Sequence, residues 1–285
     1  MFGMKKGKRF FYLVSPLFTY FTFFFFVPMF VLFAYSFWKT TTTGLVPTFT
    51  LMNYAKIFSK PLYPVIIVRS IRIGFVTAVV CVLISYPVAY SLTFKYKRLQ
   101  DFVLFLILVS LFSSYLVRVY AWKTILGDNG LINQVLEYTG LITKPLRFLL
   151  YSPTAVIITL VFILTPFTIL PIFSSLQNIS VDLMEAAQDL GANRAKTFFK
   201  ITIPLSMPGV ITGFIFSFVI AVGDYVTPQM VGGTQGLMIG RIIQDQFGLT
   251  YDWPFGSALA YFMIFSLIFL INLVIWLLKL FRLRR

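Results

Sequence analysis

Histidine is missing from this 285-residue chain, cysteine occurs once, and only nine residues are acidic. Without histidine the chain lacks the commonest general base and metal ligand at neutral pH. No metal site or cofactor is therefore expected, and an unaided enzyme is disfavoured. The single Cys81 lies within an apolar run, which excludes an intrachain disulfide and leaves the redox compartment unread. Charge of either sign is scarce, at 12% of residues, against about 25% in an average soluble domain. What fills the chain instead is apolar: 59% hydrophobic and 19% aromatic residues, with a mean hydropathy of +0.88. Such a chain has too little polar surface to cover itself and reads as an integral membrane protein. The net charge of +15 does not point to nucleic acid. Its basic residues collect at the ends of apolar runs, which is the pattern of membrane orientation.

A bilayer-crossing helix needs roughly 20 mostly apolar residues. Six segments qualify, at about 10–38, 70–94, 102–122, 150–176, 205–224 and 255–278, so the expectation is a single all-α transmembrane domain over 1–285. Lys5, Lys6, Lys8 and Arg9 before the first segment resemble the head of a signal peptide. The apolar run that follows far exceeds the roughly 7–15 residues of such a peptide, and it is expected to stay as a span. Pro16, Pro28, Pro87, Pro166 and Pro171 fall inside spans and are expected to kink them. Neighbouring helices can satisfy the carbonyls that proline frees.

Orientation follows from the basic residues. Lys5, Lys6, Lys8 and Arg9, then Lys95, Lys97 and Arg98, then Arg194, Lys196 and Lys200, then Lys279, Arg282, Arg284 and Arg285 fall on one side of a six-span chain. These fourteen of the 24 cations lie in short tails and connectors, while the other side has longer loops. Both termini are thus expected to be cytoplasmic. On the outer side, 131–142 and 237–247 carry apolar residues at helical spacing and read as short surface helices. Gly209, Gly213, Ser217 and Ala221 recur every fourth residue on the fifth span, a spacing that lets helices approach closely.

One connector stands apart. Two spans are ordinarily joined by about 2–8 residues, yet 178–204 is far longer and rich in charge and turn formers. Ser180 can cap a first helix, with Asp182 at its positive end. Leu183, Met184, Ala187 and Leu190 share one face, and Asp182, Glu185 and Asp189 another. Gly191 is the expected stop, and Asn193 the cap of a second helix with Arg194, Lys196 and Lys200. Phe198, Phe199 and Ile201 make its apolar side, and Pro204 leads back into the membrane. By pattern alone this is either a solvated elbow that serves its own bundle or a handle for a partner.

Glu185-Ala186-Ala187, then Gly191, then Ile201 to Pro204, resemble the EAA…G…I-x-x-P motif of ABC importer permeases of the binding-protein-dependent (type I, MetI-like) family. The stretches SYPVAYSL (85–92), SSYLVRVYAWKTILGDNGLIN (113–133) and VGDYVTPQMVGG (222–233) are most similar to the spermidine/putrescine permeases. The resemblance implies a bundle with five core spans after a wrapping first helix, in a bacterial inner membrane. It also implies a second, related permease as partner, two ATP-binding subunits below, and an extracytoplasmic substrate-binding protein. Glu185, Ala186, Ala187, Asp189, Gly191, Ile201 and Pro204 would then form the element that docks on the ATPase. The chain has no G-x-x-x-x-G-K-[ST] of its own, so ATP must be hydrolysed in a partner.

Polar residues in or near spans are candidates for a substrate path. A polyamine needs carboxylates for its ammonium groups and aromatic faces for its methylenes. Asp224 with Tyr225 after the fifth run, Arg118, Tyr120 and Trp122 ending the third, and Asp252 with Trp253 before the last are the candidates. Each has a plain alternative as a helix-end or interface residue. Asp128 and Asn129 read as a turn. Other readings of the whole chain are a permease for another small organic ion or an amino-acid-like solute, a self-standing channel, and an intramembrane enzyme. A channel has no use for a structured elbow, and an enzyme would need acids, bases or ligands that these spans lack.

Overall fold

The computed structural model describes residues 6–41 and 44–283. Lys5, Arg284 and Arg285, used in the charge argument, lie outside them. The described chain is helical apart from one small ribbon, in which Lys39–Thr41 (β1) pairs antiparallel with Gly44–Val46 (β2). Five helical stretches are long and apolar enough to cross a membrane: Val14–Tyr35, Leu62–Lys95, Pro153–Gln177, Arg194–Gly223 and Trp253–Val274. A bent pair, Lys97–Phe112 with Tyr115–Tyr138, makes a sixth if it counts as one span.

That pair departs from the straight third span over 102–122 that hydropathy suggests. The helix breaks at Ser113 and Ser114, both with non-helical backbone, and the two arms diverge by 95°. Serine competes with the helix by bonding its own backbone neighbourhood, and Ser113 Oγ donates to the Ser110 carbonyl at 2.9 Å. Hydropathy averages over such a break because both flanks are greasy. The second span also begins earlier than its apolar run. Its helix starts at Leu62 and carries Arg69, just ahead of the run read from the sequence, as well as Arg72 within it.

The chain forms two compact units. The first comprises Met1–Pro64 and Ile242–Arg285. It contains α1 (Lys6–Phe21), a π-helical turn and α2 (Val27–Tyr35), the ribbon, α3 (Met52–Ser59) and α13 (Trp253–Leu283). Within it α13 packs on α2 and α3. Tyr261 donates its hydroxyl to the Met29 carbonyl and stands edge-on to Phe33, while Phe58 stands edge-on to Phe262. Phe18, Phe23, Phe24 and Phe30 point outward on the other side of α1 and α2, which suits lipid tails as neighbours.

The second unit is Val65–Arg241. It holds most of α4 (Leu62–Tyr90), then α5 (Gln100–Phe112), α6 (Tyr115–Leu126), α7 (Leu131–Tyr138), α8 (Pro153–Gln177), α9 (Val181–Asp189), α10 (Arg194–Thr197) and α11 (Ile203–Gly223). The surface helices expected over 131–142 and 237–247 are α7 and α12 (Ile239–Gly248), the latter shared between the units. Pro87, Pro166, Pro171 and Pro208 are carried inside continuous helices.

The small-residue stripe of α11 is buried against α8 of the same chain. A Cβ added at Gly209 would lie 2.4 Å from the Pro171 carbonyl oxygen, and one at Gly213 3.0 Å from that of Thr168. Ser217 and Ala221, further along the stripe, are buried as well. One core cluster gathers Cys81, Val119, Leu126, Leu160, Ile163 and Leu164, and a second gathers Ala89, Leu92, Ile107, Ile172, Phe173 and Leu176.

Candidate functional site

The caps and the turn of the elbow 178–204 form at the residues that the sequence offers for them, but the apolar face expected of Leu183, Met184, Ala187 and Leu190 is divided, with Met184 turned inward and Leu183 and Leu190 exposed. Ser180 Oγ accepts the Leu183 amide and caps α9, and Asn193 Oδ1 accepts the Lys196 amide at 2.8 Å and caps α10. Between them Gly191 has φ +85°, with nothing within 4 Å of where a Cβ would be. Glycine is needed there for its left-handed backbone and not for space. Beyond α10 a π turn over Phe198–Thr202 leads directly into α11.

The two faces of the elbow are sorted. Met184 turns into the second core cluster and receives the Thr202 hydroxyl, and Phe198 meets the rings of Tyr86 and Tyr90 at 5.9 and 5.4 Å. These contacts fix the elbow to the bundle. Leu183, Leu190 and Phe199 stay outside, with Leu190 90% exposed. Glu185, Ala186, Asp189, Arg194, Lys196 and Lys200 are exposed around them, Ala187 and Ile201 are half-buried, and Pro204 is exposed. Among the described residues none of these charges is ion-paired within the chain. The elbow thus exposes apolar side chains among charges of both signs.

Asp224 is buried at the end of α11, where it caps the turn that follows. Its Oδ1 accepts the Val226 amide at 3.1 Å and its Oδ2 the Thr227 amide at 3.2 Å. The Thr227 hydroxyl lies 2.9 Å from that of Tyr115, and the Arg118 guanidinium lies 6.0 Å from the centre of the Tyr115 ring. Arg118 Nε and Nη1 are buried with no acceptor among the described residues, while Nη2 donates weakly to the Ser113 carbonyl. The fold thus brings Asp224 and Arg118 to a common neighbour, Tyr115, from positions over a hundred residues apart. Sequence reading missed Tyr115 and Thr227, because an aromatic or a threonine inside a span looks like packing until its partner is known.

The remaining path candidates sit in varied surroundings. Tyr225 and Tyr120 are exposed. Trp122 packs edge-on to Phe162 and lines an apolar cavity of about 640 Å³ among α4, α5, α6 and α8, whose wall carries only the hydroxyls of Ser110 and Thr165. Its lining offers the aromatic faces of Trp122 and Phe162 to the methylenes of a polyamine but no carboxylate to its ammonium groups. In the other unit, Asp252 accepts the Thr40 hydroxyl at 2.7 Å and pairs with Lys56 at 3.3 Å, and Trp253 lies between the rings of Tyr35 and Phe247. Lys56 and Thr40 carried no signal in the sequence, since they lie about two hundred residues from Asp252.

Residues 1–285 match the family of binding-protein-dependent transport system inner membrane components. The chain belongs to that family. This permease is 38% identical over 210 residues to the spermidine/putrescine transport system permease protein PotB of Escherichia coli, covering 74% of this chain and 76% of that one. It is 34% identical over 248 residues to PotB of Haemophilus influenzae, covering 87% and 86%. Its fold is that of a chain in the crystal structure of a bacterial alginate ABC transporter in complex with its alginate-bound periplasmic protein. There the TM-score is 0.71 at 15% identity, over 93% of this permease and 92% of that chain. The permease is therefore an inner-membrane transport subunit and not an enzyme.

Proposed function

We propose that this permease imports polyamines, spermidine or putrescine, by alternating access powered by ATP hydrolysis in partner subunits. Two ATP-binding subunits dock on the 178–204 elbow. A second, related permease completes the translocation path, and an extracytoplasmic binding protein delivers the cargo. Both termini and the elbow face the cytoplasm. Glu185, Ala186, Ala187, Asp189, Gly191, Ile201 and Pro204 form the coupling element. Asp224, Tyr225, Arg118, Tyr120, Trp122, Asp252 and Trp253 line or border the path.

The observation that carries the coupling role is Leu190, left 90% exposed on a segment whose caps and core anchors are all in place. A leucine left in water on a capped and anchored segment is best explained by a surface that covers it, because full burial of such a side chain stabilises by about 1.5–3 kcal/mol. The polyamine cargo is supported by the PotB relatives, whose names give spermidine and putrescine. Chemistry agrees. A cation about 4 Å from one carboxylate gains on the order of 4 kcal/mol before desolvation at an effective dielectric near 20, so a path with few acids suffices. The test is purification in mild detergent to identify the co-purifying chains, followed by spermidine and putrescine uptake by the reconstituted complex. Failure to carry either would remove the substrate class, and absence of an ATPase from the purified complex would remove the coupling role.

A further inference from the structure

We propose that Asp252 and Phe255 form a binding site for a primary alkylammonium group, filled in this structure by the chain's own Lys56, which an incoming amine replaces. The proposal rests on the polyamine reading for the identity of the natural amine, but the site itself is argued from geometry within one unit.

The two oxygens of Asp252 do different things. Oδ1 is held by fixed donors, the Thr40 hydroxyl at 2.7 Å and the Phe255 amide at 3.3 Å. Among the described residues Oδ2 takes only the Lys56 ammonium, at 3.3 Å. The same Lys56 Nζ lies 3.9 Å from the centre of the Phe255 ring, and that ring is itself fully buried and braced by Tyr63 at 5.0 Å. A carboxylate oriented by two donors and a ring that cannot turn away make a preorganised seat for one ammonium. The seat is reachable, because the Lys56 and Asp252 side chains are 35% and 23% exposed. Asp224 contrasts with it, since both of its oxygens are committed to backbone amides and no cation lies within ion-pair distance among the described residues.

The lysine side chain is chemically an aminobutyl group, four methylenes ending in a primary ammonium. Putrescine is that group with a second ammonium, and spermidine contains it as one arm. Lys56 therefore presents to Asp252 and Phe255 what the cargo would present. A tethered occupant competes at an effective concentration of about millimolar, so free amine enters only when delivered at high local concentration. That is the condition a docked binding protein creates, and it keeps the seat closed to dilute amines at other times.

Chemical rescue tests the site without relying on transport. Lys56→Ala removes the ammonium and most of its stem, and the assembled complex is heated in detergent with and without n-butylamine, with n-butanol as the uncharged control. Butylamine is expected to raise the melting temperature of the Lys56→Ala complex saturably. Its apparent Kd should fall roughly 3- to 30-fold below that for the unmutated complex, the sum of a partly exposed ion pair and a cation–π contact. Neither butanol in Lys56→Ala nor butylamine in Lys56→Ala/Asp252→Asn should have this effect. Rescue that survives Asp252→Asn, or none in a Lys56→Ala complex that assembles normally, overturns the proposal. If Lys56→Ala does not assemble, Lys56→Met keeps the stem, and butylamine must then bind it more tightly than the unmutated complex. In uptake, Lys56→Ala should lower KM for putrescine, and an unchanged KM would overturn displacement by cargo. Butylamine rescue in a complex that carries no polyamine would leave the site standing and remove the polyamine reading instead.

Discussion

The backbone amide of Thr227 points at Asp224 Oδ2, 3.2 Å away, while the Thr227 hydroxyl meets Tyr115 at 2.9 Å. One threonine thus joins the end of α11 to the start of α6, just past the break in the third span. Asp224 has two potential roles at this point, as a cap for the chain that follows α11 and as a charge for the cargo, and they can be separated by substitution.

Asp224→Asn removes the charge and keeps one of the two acceptors of the cap, so its thermal stability is measured beside its uptake. If the charge serves transport, uptake of spermidine or putrescine falls in Asp224→Asn while assembly with the ATPase is retained. Asp224→Glu keeps the charge and should be milder. Asp224→Ala loses the cap as well, at about 1 kcal/mol, and should lower thermal stability along with uptake. Undiminished polyamine transport by Asp224→Asn would take the carboxylate out of the path and leave it a cap.

The α8–α11 seam makes a prediction about stability alone. Gly209→Leu would force a side chain into the Pro171 carbonyl, 2.4 Å from the first added carbon. Overpacking costs about 1–3 kcal/mol when neighbours can move, and here the obstacle is backbone, so the cost lies at the top of that range or above it. Gly223→Ala near the end of the same helix meets nothing within 4 Å and should be neutral. Thermal inactivation of the purified complex would distinguish them, and equal stability of the two variants would mean that the seam is not as tight as described.

Orientation is tested by labelling. Gln188 on the elbow and Gln235 after α11 are both exposed, and Cys81 is fully buried, so the native thiol should stay unlabelled. Cysteine at Gln188 should react with an impermeant maleimide only from inside, and cysteine at Gln235 only from outside. Gly233 would be a poor choice of position. Its φ is +58° and a Cβ there would lie 2.7 Å from the Tyr151 carbonyl. Labelling of Gln188 and Gln235 from the same side would overturn the topology.

The features legible in the sequence are those governed by near neighbours. Ser180 and Asn193 cap amides three residues on, and Gly191 acts through its own left-handed backbone, so their residue types suffice to place the turns of the elbow. The stripe on α11 is read from its four-residue spacing, although its partner α8 is not named by that spacing. Hydropathy cannot see the break at Ser113 and Ser114, because two small polar residues barely lower the mean of an apolar window. Nor can pattern find Tyr115 for Thr227 or Lys56 for Asp252. Those pairs depend on how distant helices pack, and each member alone has an ordinary explanation. The polar groups of greatest chemical interest are thus the ones that only the fold brings together.

The coupling role of the elbow is tested by contrasting the free chain with the assembled complex. Leu190 is 90% exposed and Glu185 is exposed without an ion pair among the described residues, so neither holds the permease itself together. Leu190→Asp and Glu185→Lys should therefore leave expression, insertion and the stability of the isolated permease unchanged. Both should weaken ATPase attachment, Leu190→Asp by up to about 1.5–3 kcal/mol if the leucine is fully buried on docking. That is roughly a 10- to 150-fold loss of affinity. Gly191→Val acts differently, by straining the left-handed turn at about 1–2 kcal/mol, with no clash because the space beyond is open. It should shift the α9 and α10 faces relative to each other, so that transport fails more than ATPase binding does. Pull-down of the ATP-binding subunit, vesicle uptake and melting of the permease alone would be measured on all three. If Leu190→Asp melts the permease by itself, the leucine is an internal packing residue. If all three bind the ATPase and transport as the unmutated protein does, the elbow is not where the motor is attached.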